Sequence, residues 1–166
     1  MVELLVTYME MTATPAGAPL PPPRPDAQVA REALAPEAYR ALYRAIGEPV
    51  QWDEHLLLSP QALEAFLADP AIELFVLRLT GEAAGLCELD RSGAPDVEIK
   101  HFGLVPAAQG QRLGPFLLDW ALRAAWADGA RRVWLHTDSN DHPKARQTYE
   151  RAGFRVCQER WERFPD

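Results

Sequence analysis

The stretch EIKHFGLVPAAQGQRLG, residues 98–114, decides the fold. A strand-forming run, Val97–Val105, leads into Pro106. A polar, glycine-bearing loop, Gln109–Gly114, follows and opens a helix. Leu113, Phe116, Leu117, Trp120, Ala121 and Ala124 recur at i, i+3 and i+4, and Asp128 and Gly129 mark the helix end. A helix N-terminus presents unpaired backbone N–H groups and the positive end of the helix dipole. Glycines let that backbone approach an anion closely, so strand–glycine loop–helix predicts a phosphate cradle. No Gly-Lys-Ser/Thr follows, which excludes a Walker loop, and the G-x-G-x-x-G spacing of a dinucleotide site is absent. A plain strand-to-helix turn satisfies the same pattern.

Toward the C-terminus lies HTDSNDHPKARQTYERAGF, residues 136–154. It reads as the end of a strand (Arg132–Thr137), a polar loop (Asp138–His142), a helix (Pro143–Ala152) closed by Gly153, and a last strand, Phe154–Arg163. Toward the N-terminus, Ile72–Thr80 and Glu82–Asp90 form a hairpin across Thr80 and Gly81. Ser59 and Pro60 open a helix that runs to about Ala68, and Pro36–Ile46 is a helix before it. Val2–Met11 is a strand. Six prolines between Pro15 and Pro25 favour an extended segment within a proline-rich surface connection, 12–35. The order β, α, α, β, β, β, α, β, α, β predicts an α/β (α+β) fold with one mixed central sheet. Its N-terminal part is antiparallel, a parallel pair follows, and helices cover both faces. The 166 residues are expected to form a single domain.

Composition narrows the function. Net charge is −7, which argues against a nucleic-acid partner. Residues 1–108 carry 7 Lys and Arg against 16 Asp and Glu; residues 109–166 carry 10 against 8. The second half tolerates an anionic ligand, although uneven surface charge alone gives the same split. No apolar run is long enough for a membrane span, the N-terminus lacks a secretory pattern, and Cys87 and Cys157 make no C-x-x-C. A cytoplasmic protein with no membrane partner is the expectation.

The two stretches together resemble the GNAT superfamily of acyl-CoA-dependent N-acetyltransferases. The family loop, Q/R-x-x-G-x-G/A after a strand and a proline, corresponds to Gln109, Gly110, Gln111, Arg112, Leu113 and Gly114, with Pro106 ahead of it. The family's A-x-x-x-Y-x-x-x-G-F corresponds to Ala145, Tyr149, Gly153 and Phe154. The close resemblance covers about residues 97–156. It implies acetyl-CoA as cosubstrate, bound by the loop residues and by the backbone near Phe102 and Leu104. It also implies a notch between the strands Val97–Val105 and Arg132–Thr137, direct attack by an acceptor amine, and the Leu104 N–H as oxyanion donor. Tyr149 would protonate the departing thiolate, for which a phenol of reference pKa ~10 is a suitable acid. The bland reading of Tyr149 is a core aromatic. Two positions depart from the family pattern. Arg112 replaces the usual middle glycine, and its N–H serves a phosphate if its φ stays negative. His142 replaces a frequent Asn, and it either contacts the pantetheine arm or caps the helix.

An amine nucleophile must shed a proton, so a base is needed. Glu98 and Glu88 are the candidates. Strand period 2 would put Glu98, Lys100, Phe102 and Leu104 on one face, with His101 on the other. Glu98 as a plain solvated residue or a partner for Lys100 is the alternative. His55 lies in the region that shapes the acceptor site, and Tyr39, Tyr43, Trp52, Asp53 and Glu54 either form an aromatic, acidic pocket or simply pack. His136 and His142, six apart across a loop, offer no metal set, so no metal is expected. Trp161 and Phe164 serve a homodimer contact or pack on the protein's own sheet. A GNAT-like domain that binds acyl-CoA without transferring it is the competing function.

Overall fold

The computed structural model describes residues 1–165. Seven strands make one sheet: β1 (Val2–Met11), β2 (Ala27–Arg31), β3 (Ile72–Leu79), β4 (Glu82–Asp90), β5 (Asp96–Leu104), β6 (Arg132–Asp138) and β7 (Arg155–Phe164). Four α-helices flank it: α1 (Pro36–Gly47), α2 (Pro60–Ala68), α3 (Leu113–Ala127) and α4 (Ala145–Ala152). The sheet order is β2-β3-β4-β5-β6-β1-β7. Every pairing is antiparallel except β5 with β6. This is the mixed sheet that the element order predicts.

Alternation along the strands sorts the core into two layers. Leu74, Val76 and Leu86 face Tyr39, Leu42, Tyr43 and Ile46 of α1 and Leu63 of α2. Phe75, Leu77, Cys87, Leu89, Val97 and Ile99 face Leu113, Leu117, Leu118, Ala121 and Leu122 of α3, with Tyr149 of α4. The caps follow the sequence: Ser59 Oγ accepts from the Ala62 N–H at 3.1 Å and Pro60 fills the first helical position. Gly153, at φ +116°, closes α4.

Two features depart from expectation. The 12–35 connection contains a strand, β2, which pairs with β3 at the sheet's edge. Its five residues carry little periodic signal beside the prolines. The proline segment itself lies along α3. Arg123 Nη2 donates to the carbonyls of Gly17 and Ala18, both at 3.2 Å, and Asp119 accepts from the Leu20 N–H at 3.1 Å. The second feature is the place of β1. It pairs with β6 on one side and β7 on the other, so the first strand of the chain is an interior strand.

A β-bulge sets the faces of β5. Glu88 pairs with His101, yet its neighbour Leu89 pairs with Ile99, leaving Lys100 as the extra residue. The bulge reverses the side-chain parity beyond it. Phe102 and Leu104 therefore join Ile99 on the α3 side, while His101 and Gly103 face α1: His101 reaches Tyr43, and a Cβ on Gly103 would meet Ile46 and Trp52. The expectation that Glu98 and Lys100 share a face with Phe102 and Leu104 is corrected by this one inserted residue, while His101 does lie opposite Phe102 and Leu104.

Candidate active site

The parallel pair β5–β6 holds together only at its start. Asp96, Val97 and Glu98 pair with Arg132, Val133 and Trp134, and the ladder then ends, although β5 continues to Leu104 and β6 to Asp138. A notch opens between them, and the edge of β5 that faces it, from Ile99 to Leu104, has no ladder partner across the gap. Beyond the notch, a 3₁₀ turn at Pro106–Ala108 delivers the chain to the loop ahead of α3.

That loop is built to present N–H groups. Among the described residues, the backbone N–H groups of Gly110, Gln111, Arg112, Leu113 and Gly114 donate to no protein acceptor. Gly110 sits at φ +78°. Arg112, the N-cap of α3, sits at φ +63° and ψ 17°, in the left-handed region. The condition that its φ stay negative is therefore not met: Arg112 takes the backbone conformation that a glycine favours, and the loop keeps its shape at the cost of local strain. Left-handed geometry costs a non-glycine residue roughly 1–2 kcal/mol, partly offset by glycine's greater unfolded-state entropy of about 0.5–1 kcal/mol. Arg112→Gly is thus expected to raise stability by about 0.5 kcal/mol in urea unfolding. Gly114 has no positive φ, and a Cβ there would make ordinary contacts with Phe102 and Leu104 at 3.8 and 3.9 Å. Gln109 Nε2 reaches Leu104 O at 3.5 Å, and Gln111 Oε1 accepts from Arg24 Nη1 at 2.8 Å, tying the proline strap to the loop.

Tyr149 stands on the α3 side of the sheet. Its ring packs on Phe102 and Phe154, with centroids 5.7 and 5.8 Å away. The residue is 7% exposed. Its hydroxyl makes no hydrogen bond with a described residue, and it is absent from the fully buried unpartnered atoms, which are Arg40 Nε and Glu73 Oε2. The oxygen therefore reaches the accessible surface. Burial first, then the nearby charges of Asp141 and Cys87, push its pKa well above the usual phenol range. His142 Nδ1 accepts from the Lys144 N–H at 3.1 Å, the capping contact that competes with a pantetheine contact; α4 itself begins at Ala145, two residues later than Pro143 suggests.

The opposite face carries a second constellation. Glu88, wholly buried, accepts from Tyr39 Oη at 2.5 Å and bonds His101 Nδ1 at 2.8 Å. Tyr39 Oη is also 2.6 Å from His55 Nδ1, and Tyr43 Oη is 3.2 Å from His101 Nε2. The Trp52 ring meets His101 edge-on at 4.8 Å and lies tilted against Tyr43 at 5.5 Å. Glu98, the carboxylate first nominated as base, lies apart from this group. It is 3.9 Å from both Lys100 Nζ and His136 Nε2. Burial raises its pKa; Lys100 and His136 pull it back down. The sequence supplied most of these residues singly. Their assembly comes from the β4–β5 register, which sets Glu88 directly opposite His101 and is not legible in either strand by itself. The ligand atoms of His55, Glu88 and His101 lie within 4.8 Å of one another, a donor set that the expectation of no metal, argued from His136 and His142, did not weigh.

An open strand edge, a cradle of free N–H groups and an unpartnered phenol suit a thioester carried on an amide-bearing, phosphorylated arm. Acetyl-CoA is such a molecule. No curated sequence matches the chain. Solved structures do. A GCN5-related N-acetyltransferase from Sphaerobacter thermophilus is similar at TM-score 0.65 and 22% identity, over 95% of this chain and 50% of that one. A putative GNAT-family acetyltransferase from Novosphingobium aromaticivorans is similar at TM-score 0.68 and 18% identity, over 97% and 63%. The ribosomal-protein-S18-alanine N-acetyltransferase of Escherichia coli follows at 0.59 and 17%, over 76% of each chain. The chain thus spans only about half to two-thirds of the first two proteins it resembles. The model of the acetyltransferase (GNAT) family matches residues 34–154, a span that runs from before α1 through both motifs. By that match, and by the notch and loop that the matched residues build, this chain belongs to the GNAT acetyltransferase family.

Proposed function

We propose that the protein transfers the acetyl group of acetyl-CoA directly to an amine, of a small molecule or a protein. The observation that carries this reading is the notch itself: β5 and β6 part after Glu98 and Trp134, and Tyr149, its hydroxyl unpartnered, packs its ring on Phe102 of β5. The family generally uses acetyl-CoA. The N–H groups of Gly110–Gly114 and the dipole of α3 hold the pyrophosphate, with the Gln109, Gln111 and Arg112 side chains at the rim. The free edge of β5 around Phe102–Leu104 pairs with the amides of the pantetheine arm. The Leu104 N–H stabilises negative charge building on the thioester carbonyl oxygen. The amine nitrogen bonds to the carbonyl carbon and gives up one N–H proton to a base, the C–S bond breaks, and Tyr149 gives its proton to the departing sulfur. The products are an amide and free CoA, and Tyr149 regains a proton from solvent. Glu98 supplies negative charge on the side from which a cationic amine enters.

The test is acetyl-dependent release of CoA thiol against a panel of amines, beside calorimetry with acetyl-CoA. Turnover with at least one amine supports transfer; tight binding without turnover supports the acyl-CoA-binding alternative. Gly110→Val forces a β-branched residue into positive φ, at a cost of about 1–3 kcal/mol. Acetyl-CoA affinity is expected to fall at least about tenfold as the loop rearranges. Gly114→Ala, in helical geometry with room for its methyl, should leave stability unchanged.

A further inference from the structure

Taken with Glu88 ionised and both imidazoles neutral, the buried polar cluster beneath α1 has one assignment of its protons. Glu88, as a carboxylate, only accepts. Tyr39 Oη and His101 Nδ1 both lie within hydrogen-bond distance of it, so both donate to it. Tyr39 has a single hydroxyl proton and spends it on Glu88. His55 Nδ1, 2.6 Å from the same phenol oxygen, must therefore be an N–H that donates to Tyr39. On the other side Tyr43 Oη donates to His101 Nε2 and receives the His55 backbone N–H at 3.5 Å. Both ring nitrogens of His101 are then occupied. One position is left over: His55 Nε2, a lone pair with no hydrogen-bond partner among the described residues. It too is absent from the fully buried unpartnered atoms, so it reaches the accessible surface although the residue is 5% exposed.

From this arrangement we infer that His55 is the general base that takes the proton of the acceptor amine, with Tyr39 and Glu88 as residues that position its ring and fix its tautomer. The inference rests on the amine-acetylation reading above and deepens it. A lone pair held by a phenol and a carboxylate behind the opposite nitrogen is the arrangement that a base needs. The cluster adjoins the notch strand on its α1 face: the His55 ring is 4.8 Å from that of His101, His101 contacts Trp52, and a Cβ on Gly103 would meet Trp52. Burial, aided by His101 and Lys100 of β5, pulls the His55 pKa below the usual histidine range; Glu88 of β4 and Glu54 of its own turn oppose this, and Tyr39 and Tyr43 of α1 are protonated phenols. The ring is thus neutral at neutral pH. Glu98 lies apart from this cluster, and its carboxylate is engaged by Lys100 Nζ and His136 Nε2, each 3.9 Å away. When the amine attacks, its N–H bond breaks, His55 Nε2 gains the proton and becomes imidazolium, and the new charge is balanced by Glu88 through Tyr39.

Two measurements test this. Nitrogen-15 NMR of the wild-type protein at about pH 7.5 should show His55 as the Nδ1–H tautomer, titrating below the ordinary histidine value of ~6.5. With an amine that turns over, kcat/KM should lose activity on the acid side at that same pH. His55→Gln should lower kcat by about 10²–10⁴-fold and abolish that acid limb, with acetyl-CoA affinity unchanged. Tyr39→Phe should keep the limb, lower kcat by roughly tenfold, and shift His55 toward the Nε2–H tautomer. Glu98→Gln should raise KM for a cationic amine and keep the acid limb. An Nε2–H tautomer in the wild type, full kcat in His55→Gln, or loss of the limb in Glu98→Gln overturns the assignment. So does stoichiometric divalent metal in the purified protein, since His55, Glu88 and His101 would then be its ligands. A wild type that acetylates no amine overturns the transfer reading as well, whereas turnover with an unaffected His55→Gln overturns the base alone.

Discussion

Tyr149→Phe is expected to lower kcat by about 10²–10⁴-fold, the usual worth of a general acid, if departure of the thiolate limits the rate. The substitution removes one oxygen and leaves the ring. The contacts with Phe102 and Phe154 are ring contacts, so the fold and acetyl-CoA affinity should hold. No hydrogen bond is lost, because the hydroxyl makes none within the described protein. Steady-state kinetics and calorimetry on the same preparation separate the two effects. A raised phenol pKa keeps the acid protonated through neutral and mildly alkaline pH, so no alkaline loss of activity should be traceable to Tyr149 there. Full kcat in the variant at several pH values would make Tyr149 a packing residue and hand the proton transfer to water. A loss smaller than tenfold is the outcome where CoA release limits turnover instead.

Met9→Ala should destabilise the protein by about 2–5 kcal/mol. Met9 is fully buried in β1, an interior strand bonded on both edges, and it belongs to the core beneath α3. Truncation leaves a cavity that two hydrogen-bonded neighbours keep from collapsing. Trp161→Ala, on β7 one strand away, is the matched control. Trp161 is 68% exposed at the sheet's edge, so its loss should cost under about 0.5 kcal/mol. Urea denaturation midpoints at constant slope measure both. Equal effects would mean that β1 does not occupy the interior position.

The elements that are legible in the sequence are those whose signals are local. Ser59 with Pro60, Gly153 after α4, and the Thr80–Gly81 turn each fix a boundary within a few residues, and structure and sequence agree there. The parallel pair is legible too, because strand–helix–strand order demands it, whereas its splaying into a notch follows only from the family resemblance. What escapes is set by distant partners. β2 is five residues whose pairing with β3 across some fifty positions makes it a strand. β1 reads as a strand, but nothing in Val2–Met11 says which neighbours it takes. The bulge at Lys100 is a register event between β4 and β5, invisible to a period-2 count. The register that sets Glu88 opposite His101 is equally invisible, so Glu88, His55 and His101 read as three separate residues rather than one network. Arg112 shows a related limit: the residue type argued for negative φ, and the loop imposed the left-handed shape regardless.

The interior position of β1 bears on how the molecule is made. Its register runs Val6 to Asp138 and Met11 to Val133 on one side, and Val2 to Phe164 and Glu10 to Arg155 on the other. During synthesis the first strand emerges and must wait for more than a hundred residues before either neighbour exists. Until then its apolar face and both of its hydrogen-bonding edges are open to chaperones or to other nascent chains. Closure of so long a loop also slows folding. Ribosome-bound chains stopped ahead of β6 should therefore be protease-sensitive throughout β1, and protection there should appear only once β6 and β7 have both left the exit tunnel.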